Sequence, residues 1–327
     1  MCKNGANSIG LSNGLFGLRE PAEDDFRQLK ENGIRQIELR LKPGYFDIHE
    51  KQLISRVSHW LDRYGIEVSS VHGPSGYPGN SPVTGIDGET FWLAHPDDGI
   101  RHDAVVLRRE TLDVCRHFDA KSMIVEYECY GYAPYWPHGS PIRKRYPDVK
   151  KHWQQSIEML LEDADRTGVK LAIENIDGLS ISEMSHQVDK WPEHLIGCCL
   201  DSSHATYDCT ARDLNCTAVL PRLITTHLSD NDGLCGAGWI DRHWVPFSGV
   251  IDWESLIGRI CRSGYSGCFM LEVLNPEKRI TDQLMAAIEK LGALIDKCRS
   301  QISPVPEKKI QYDAHHKKAS HRPSGQI

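Results

Sequence analysis

The sequence predicts an α/β fold in which eight strands alternate with helices and close into a (β/α)8 barrel. Short apolar runs of strand length alternate with longer amphipathic segments, which favours repeated strand–helix units over an all-α or all-β fold. Several of the amphipathic segments are followed by a glycine, as is usual where helices end. The length of 327 residues suits one barrel with long loops between its strands and helices.

The first four strand–helix units are read from apolar runs and from the glycines that follow the helices. Strands are predicted at 8–12, 34–41, 66–72 and 122–127, and helices at 22–32, 50–64, 101–118 and 149–167. Gly33, Gly65 and Gly168 each stand directly after one of these helices. Residue Glu38 in the second strand lies on the opposite face from its apolar neighbours Ile37 and Leu39.

The last four units have equally clear strands but two weaker helices. Strands are predicted at 169–174, 196–201, 222–228 and 267–273, and helices at 185–190, 211–220, 253–262 and 281–298. The helices at 185–190 and 211–220 have the least regular apolar pattern. Because the alternation of strands and helices ends with the helix at 281–298, we assign residues 1–302 to the barrel domain.

Three long connections and the C-terminal tail lie outside this alternation. The connections at 73–100, 128–148 and 229–251 all follow strands, so they are expected at the catalytic face of a barrel. They are rich in aromatic residues, and we predict that Trp136 contacts the substrate. Residues 303–327 are basic and lack apolar periodicity, which predicts a disordered tail.

Composition excludes several classes of protein. The net charge of -7 argues against a general nucleic-acid binder. Eleven cysteines occur without a CxxC pair, which predicts reduced thiols and no structural zinc site. The N-terminal residues show no apolar signal region, and no run of 18 apolar residues exists, so we expect a soluble cytoplasmic protein without membrane contact.

Strands five to eight each end at or near a residue of metal-ligand type. These residues are Glu174, Asp201, His227 and Glu272. A parallel barrel gathers the C-terminal ends of its strands at one face, so residues about 100 positions apart can meet there. Oxygen-rich ligands with one imidazole suit a single Mn²⁺, Mg²⁺ or Co²⁺ ion, with positions left for substrate. We expect one divalent ion, with Mn²⁺ favoured and Zn²⁺ still open.

The chain resembles the sugar phosphate isomerase/epimerase superfamily, whose members share a xylose isomerase-like TIM barrel. The resemblance runs from about residue 8 to 298 and rests on the order and spacing of seven fragments: VHGP at 71–74, AIEN at 172–175, LDSSH at 200–204, HLSDN at 227–231, DRH at 241–243, PFSG at 246–249 and LEV at 271–273. Many members have Gly-x-Gly in the PFSG region, and Phe247 replaces the first glycine here. The shape of that loop is therefore not predicted.

The resemblance implies a metal-dependent enzyme that acts on a small-molecule sugar or polyol. Glu174, Asp201, His227 and Glu272 match the single-metal site of keto-sugar epimerases and related isomerases, and His204 matches a histidine that contacts substrate oxygens. In such chemistry the metal stabilises an enediolate. Glu174 and Glu272 come from different strands, so one is expected to remove the proton from one face and the other to return it on the opposite face.

Other functions remain open at this level. A lyase of the same architecture, such as an inosose dehydratase or a sugar β-eliminating enzyme, would use the same enediolate. Endonuclease IV-type DNA repair enzymes belong to the family and hold three zinc ions. His72, Asp241 and His243 match part of their ligand set, but Glu126 stands where they have histidine. A catalytically silent barrel is disfavoured by the complete four-ligand set.

Further residues are predicted to line the substrate pocket. Glu38, placed at the end of strand two, and His72 are each expected to bind substrate, or else to form structural contacts at the rim. His204 alternatively caps the next helix. Asp241 and His243 are expected to line the pocket, to form a second metal site or to order the loop. The oligomeric state is not predicted, and a homo-oligomer is compatible with the sequence.

Overall fold

The computed structural model of the protein contains one sheet of parallel strands that curves into a barrel. It describes residues 8–17, 19–41, 46–76, 88–129, 148–176, 181–206, 216–233 and 242–301. Within these residues there are eight strands: β1 Ile9–Ser12, β2 Gln36–Arg40, β3 Glu67–His72, β4 Ser122–Glu126, β5 Lys170–Glu174, β6 Ile196–Asp201, β7 Leu223–His227 and β8 Phe269–Leu271.

Neighbouring strands pair in the order β7-β6-β5-β4-β3-β2-β1-β8, and every pair is parallel. The two ends of this sheet meet where Leu228 forms a parallel bridge with Leu271. There the amide of Leu228 donates to Met270 O at 2.8 Å, and the amide of Glu272 donates to Leu228 O at 3.2 Å. The predicted (β/α)8 barrel is therefore confirmed.

Helices separate most of the strands along the chain. The described residues include α1 Glu23–Glu31, α2 Lys51–Tyr64, α3 Asp98–His117, α4 Val149–Thr167, α5 Ile181–Val188, α6 Ser202–Thr206, α7 Trp253–Arg262 and α8 Asp282–Gln301. Gly65 and Gly168 end α2 and α4 in the left-handed conformation, with φ values of 63° and 70°. Glycine adopts this conformation without steric cost, so the glycine signals in the sequence located these helix ends correctly.

The strands bury apolar side chains on both sides. Leu171 and Ile173 of β5 belong to the large core between the strands and the helices. Ala172 and Cys199 belong to a smaller cluster with Ile124, and alternation along the strands places this cluster on the same side as Glu174. An apolar layer therefore fills the barrel interior below the functional residues at the strand ends.

The segment after β6 differs from its prediction. A short helix, α6, begins immediately after Asp201. Residues 216–220, predicted as part of a helix at 211–220, instead form the 3₁₀ turn Cys216–Ala218 and the start of another, Leu220–Arg222. Pro221 lacks an amide hydrogen and cannot donate within an α-helix, which favours the shorter turns.

Some predictions fall on residues that the structure does not describe. These are the tail at 303–327, residues 211–215 of a predicted helix, and parts of the three long connections, namely 77–87, 130–147 with Trp136, and 234–241 with Asp241. In the described part of the chain, no helix is both long enough and apolar enough to span a membrane. Six cysteines there are thiols outside any disulfide: Cys115, Cys129, Cys198, Cys199, Cys261 and Cys298.

Candidate metal centre

The four predicted ligand residues come together at the C-terminal ends of β5 to β8. Glu174, Asp201 and His227 are the last residues of β5, β6 and β7, and Glu272 directly follows β8. The strand register pairs Asp201 with His227, so these two side chains start at the same level. One ligand atom from each of the four residues lies within 4.8 Å of the others. All four residues are at most 2% exposed.

The imidazole of His227 is the centre of this cluster. Its Nδ1 lies 2.6 Å from Oε1 of Glu174 and 2.9 Å from Oε2 of Glu272. Its Nε2 lies 2.9 Å from Oε2 of Glu38 on the other side of the ring. A single ring therefore has carboxylates at both of its nitrogens.

Hydrogen bonds with Asn175, which follows β5, and with His204, which follows β6, fix the position of Asp201. The side chain of Asn175 donates to Asp201 O at 2.9 Å and accepts from the amide of Asp201 at 2.8 Å. The Oδ1 atom of Asp201 accepts from the amide of His204 at 2.7 Å. Two hydrogen bonds thereby join the residue that follows β5 to the last residue of β6, beside the candidate ligands.

Burial and charge act in opposite directions on the titrating groups. Burial alone would raise the pKa of Glu174, but His227 and His72 outweigh it and hold the pKa well below its usual value. Burial would also raise the pKa of Glu38, which His227 lowers instead. For His227, burial would lower the pKa, yet Cys199, Glu174 and Glu38 raise it well above its usual value. Without a bound ion, these shifts favour ionised carboxylates at Glu174 and Glu38 and a protonated imidazole at His227.

This donor set fits a divalent cation. Several carboxylates sit close together with almost no access to water, and such an arrangement is costly unless positive charge compensates it. Carboxylate oxygens with one imidazole nitrogen are the ligands that divalent ions of the Mn²⁺ and Mg²⁺ type accept, and zinc also accepts them. Glu174, Asp201, His227 and Glu272 are therefore the residues that would hold the ion.

An arginine that sequence reasoning missed contacts the same cluster. Arg40, the last residue of β2, forms an ion pair with Oε1 of Glu272. The backbone amide of Arg40 donates to the Asn13 side chain at 2.8 Å, which fixes the end of the strand. The sequence did contain a signal, because Arg40 lies at the end of a strand as the candidate ligands do. Arginine does not bind metal ions, so a search for metal ligands at strand ends did not find it.

The structure places three predicted substrate-binding histidines around the four-residue cluster. Nε2 of His72 lies 3.4 Å from Oε2 of Glu174, and its ring stacks on that of His227 with centroids 5.7 Å apart. His204 and His243 meet edge to face at 5.5 Å. These two can also join Asp201 in a second group whose ligand atoms lie within 4.8 Å of one another.

The loop histidine and a neighbouring phenylalanine have unusual backbones. His243 has a φ of 42° and Phe247 a φ of 71°, both in the left-handed region that costs a non-glycine residue about 1–3 kcal/mol. Nδ1 of His243 donates to the carbonyl of Glu272 at 3.0 Å. Phe247 thus adopts a left-handed backbone conformation that a glycine would adopt without steric cost.

Glu38 requires a correction of position. It was predicted at the end of strand two, but it is the third of the five residues of β2 and is fully buried. It contacts Ser70 and His227. The predicted strand at 34–41 already extended three residues beyond Glu38 and the observed strand ends at Arg40, so the error lay in placing Glu38 at the strand end.

Comparison with known proteins identifies the family. The model of the xylose isomerase-like TIM barrel family matches residues 26–291. The chain belongs to this family. No curated protein matches the sequence.

Solved structures with the same fold include sugar epimerases. A D-tagatose 3-epimerase-like protein has a TM-score of 0.68 and 17% identity, covering 90% of this chain and 100% of its own. An L-ribulose 3-epimerase has a TM-score of 0.63 and 15% identity, covering 89% and 95%. The IOLI protein with a bound zinc atom has a TM-score of 0.64 and 14% identity, covering 91% and 100%. At these identities the likeness shows the fold.

Proposed function

We propose that this family member is a divalent-metal-dependent isomerase or epimerase that acts on a keto-sugar or keto-polyol in the cytoplasm. The observation that carries the proposal is the position of two carboxylates, Glu174 and Glu272, against one nitrogen of His227. The relatives named as D-tagatose 3-epimerase-like and L-ribulose 3-epimerase support the same substrate class.

The two glutamates are suited to move a proton between two faces of a substrate carbon. They belong to β5 and to the end of β8, with β6 and β7 between them in the barrel, so their carboxylates approach the centre from different directions. Glu174 would hold or release a proton on one face and Glu272 on the other. Such general acid–base groups typically contribute about 10²–10⁴-fold each.

Other residues prepare the site for this chemistry. A bound divalent ion supplies Lewis acidity that stabilises negative charge on the substrate's carbonyl and adjacent hydroxyl oxygens. His227 and His72, which lower the pKa of Glu174 against the effect of burial, favour the ionised carboxylate, and this is the form that can accept a proton. We propose that His72, His204 and His243 orient substrate hydroxyls, because their rings surround the same strand ends. The oxygen-rich donor set favours Mn²⁺.

The test is exchange of a carbon-bound proton with solvent. Purified protein loaded with Mn²⁺ is incubated with a panel of keto-sugars and inososes in D₂O, and NMR and mass spectrometry follow deuterium at carbon. We expect deuterium incorporation together with an epimer or isomer of at least one substrate. A dehydrated product would assign the protein to the lyases instead. Activity on abasic DNA without any exchange into sugars would also overturn the proposal.

A further inference from the structure

Glu38 is a buried carboxylate that the proposed acid–base chemistry does not use. It lies in the middle of β2, a strand that contributes none of the four candidate ligands, and its exposure is 0%. Its Oε2 accepts a hydrogen bond from the hydroxyl of Ser70 at 2.7 Å and lies 2.9 Å from Nε2 of His227. Both contacts are made by the same carboxylate oxygen.

The two nitrogens of His227 face different groups. Nδ1 faces the carboxylates of Glu174 and Glu272 at 2.6 and 2.9 Å, whereas Nε2 faces Glu38. A histidine that gives one nitrogen to a metal ion must carry its proton on the other nitrogen. A carboxylate that accepts that proton selects the tautomer, fixes the ring orientation and makes the ligand nitrogen more basic.

Two other roles fit Glu38 less well. A ligand role would require it on the Nδ1 side of the imidazole with the other carboxylates, but its contact is on the Nε2 side. A direct contact with substrate would require access from the barrel mouth, and the residue is fully buried. Its Oε1 is buried without a hydrogen-bond partner in the described structure, which is a costly state for a carboxylate that had only a packing role.

We propose that Glu38 is a positioning residue of the metal centre: it accepts the Nε2 proton of His227 and thereby presents Nδ1 to the divalent ion. The inference rests on the metal centre of the proposed function. It adds Glu38 to the four candidate ligands as a residue that supports one of them. It replaces the earlier expectation that Glu38 binds substrate.

The test measures metal affinity and the state of the His227 ring separately from turnover. E38A removes the acceptor, E38Q keeps an acceptor oxygen without the charge, and S70A removes only the hydroxyl that holds the carboxylate. E67Q is the matched control, because Glu67 is an exposed carboxylate at the opposite end of β3. Each protein is titrated with Zn²⁺ against a chelator, and the zinc-loaded form is studied by NMR of its imidazole protons.

We expect Zn²⁺ affinity to fall about 100-fold in E38A and about tenfold in E38Q, with a smaller loss in S70A and none in E67Q. A downfield, slowly exchanging Nε2 proton of His227 should be present in the wild type and in E38Q and lost in E38A. At saturating metal, the KM for an accepted sugar should stay unchanged in E38Q. If E38A does not fold, the loss in E38Q and its retained proton signal decide the question.

Metal affinity in both Glu38 variants within about twofold of the wild type would overturn the inference, as would an unchanged affinity with a raised KM, which would make Glu38 a substrate contact. These failures leave the proposed function intact. If the wild-type protein binds no divalent ion, the inference and the proposed function fail together. If it binds the ion and depends on Glu38 but exchanges no sugar proton, only the proposed function fails.

Discussion

A buried ion pair next to the barrel mouth allows a test of how much a paired charge contributes to the stability of this fold. Arg108 of α3 and Glu128, two residues beyond β4, are both fully buried and lie 2.6 Å apart. The carboxylate of Glu128 also accepts from the amides of Gly76 at 3.0 Å and Leu93 at 2.6 Å. Its carbonyl accepts from the indole of Trp92 at 2.9 Å. This one residue therefore ties the segment after β3 to the end of β4.

The substitution Arg108→Met removes the charge and keeps much of the side-chain volume. It leaves the Glu128 carboxylate buried without its cation, which typically costs about 3–5 kcal/mol of unfolding free energy. Burial already raises the pKa of Glu128 from 4.5 to about 7, even though Arg108 acts in the opposite direction. Without Arg108 that pKa rises further.

The sign of the pH dependence follows from that raised pKa. Between about pH 4.5 and the folded pKa, the folded protein binds the Glu128 proton more tightly than the unfolded chain does. This contribution to stability is complete at low pH and is lost as the pH rises through the folded pKa. The loss in R108M should therefore be small near pH 5 and full near pH 8.

The assay is urea denaturation of the wild type, R108M and the double variant R108M/E128Q at both pH values. The double variant removes the unpaired charge but keeps an amide oxygen for the backbone donors, so it should recover most of the stability lost at pH 8. A loss below about 1 kcal/mol in R108M, equal at both pH values and not recovered in the double variant, would refute the reasoning.

Three further predictions concern the metal centre. D201N and H227A should each lose most bound divalent ion while keeping the circular dichroism spectrum of the wild type, and unchanged metal content in both would contradict the assignment. E174Q and E272Q should retain some metal but lose turnover by about 10²–10⁴-fold, with slow solvent exchange surviving on one face; full activity in both would end the two-base mechanism. The neighbouring groups raise the pKa of His227 well above 6.5. In the metal-free protein, protonation of His227 therefore contributes to the free energy of unfolding. That contribution is complete below pH 6.5 and is lost as the pH rises through the pKa of the folded state. Metal uptake at neutral pH should accordingly release a proton and strengthen with pH, and calorimetry in buffers of different ionisation enthalpy that detects no release would be evidence against a protonated His227.

The strand-end positions of the candidate ligands could be predicted because each of them follows a local pattern. The apolar runs before Glu174, Asp201 and His227 have strand length, and the residue type changes where the strand ends. In a parallel barrel this local information is enough to place distant residues at one face. The helix ends at Gly65 and Gly168 were equally local, since glycine adopts the left-handed conformation without steric cost.

Contacts between distant strands could not be predicted in the same way. Glu38 and His227 are separated by 189 residues, and nothing in either segment shows that the ring of one faces the carboxylate of the other. The pairing of Arg40 with Glu272 depends in the same way on the closure of β1 between β2 and β8. Such pairs are set by barrel register, which the sequence pattern fixes only to within a few residues.

The metal content of the purified protein tests the central claim most directly. Protein expressed with and without added manganese is dialysed and analysed by inductively coupled plasma mass spectrometry, with D201N as the control that should lose the ion. The account predicts about one divalent ion per chain in the wild type, removable by a chelator together with catalysed exchange of the sugar proton. Three zinc ions per chain, or no ion in a protein that still exchanges the proton, would contradict it.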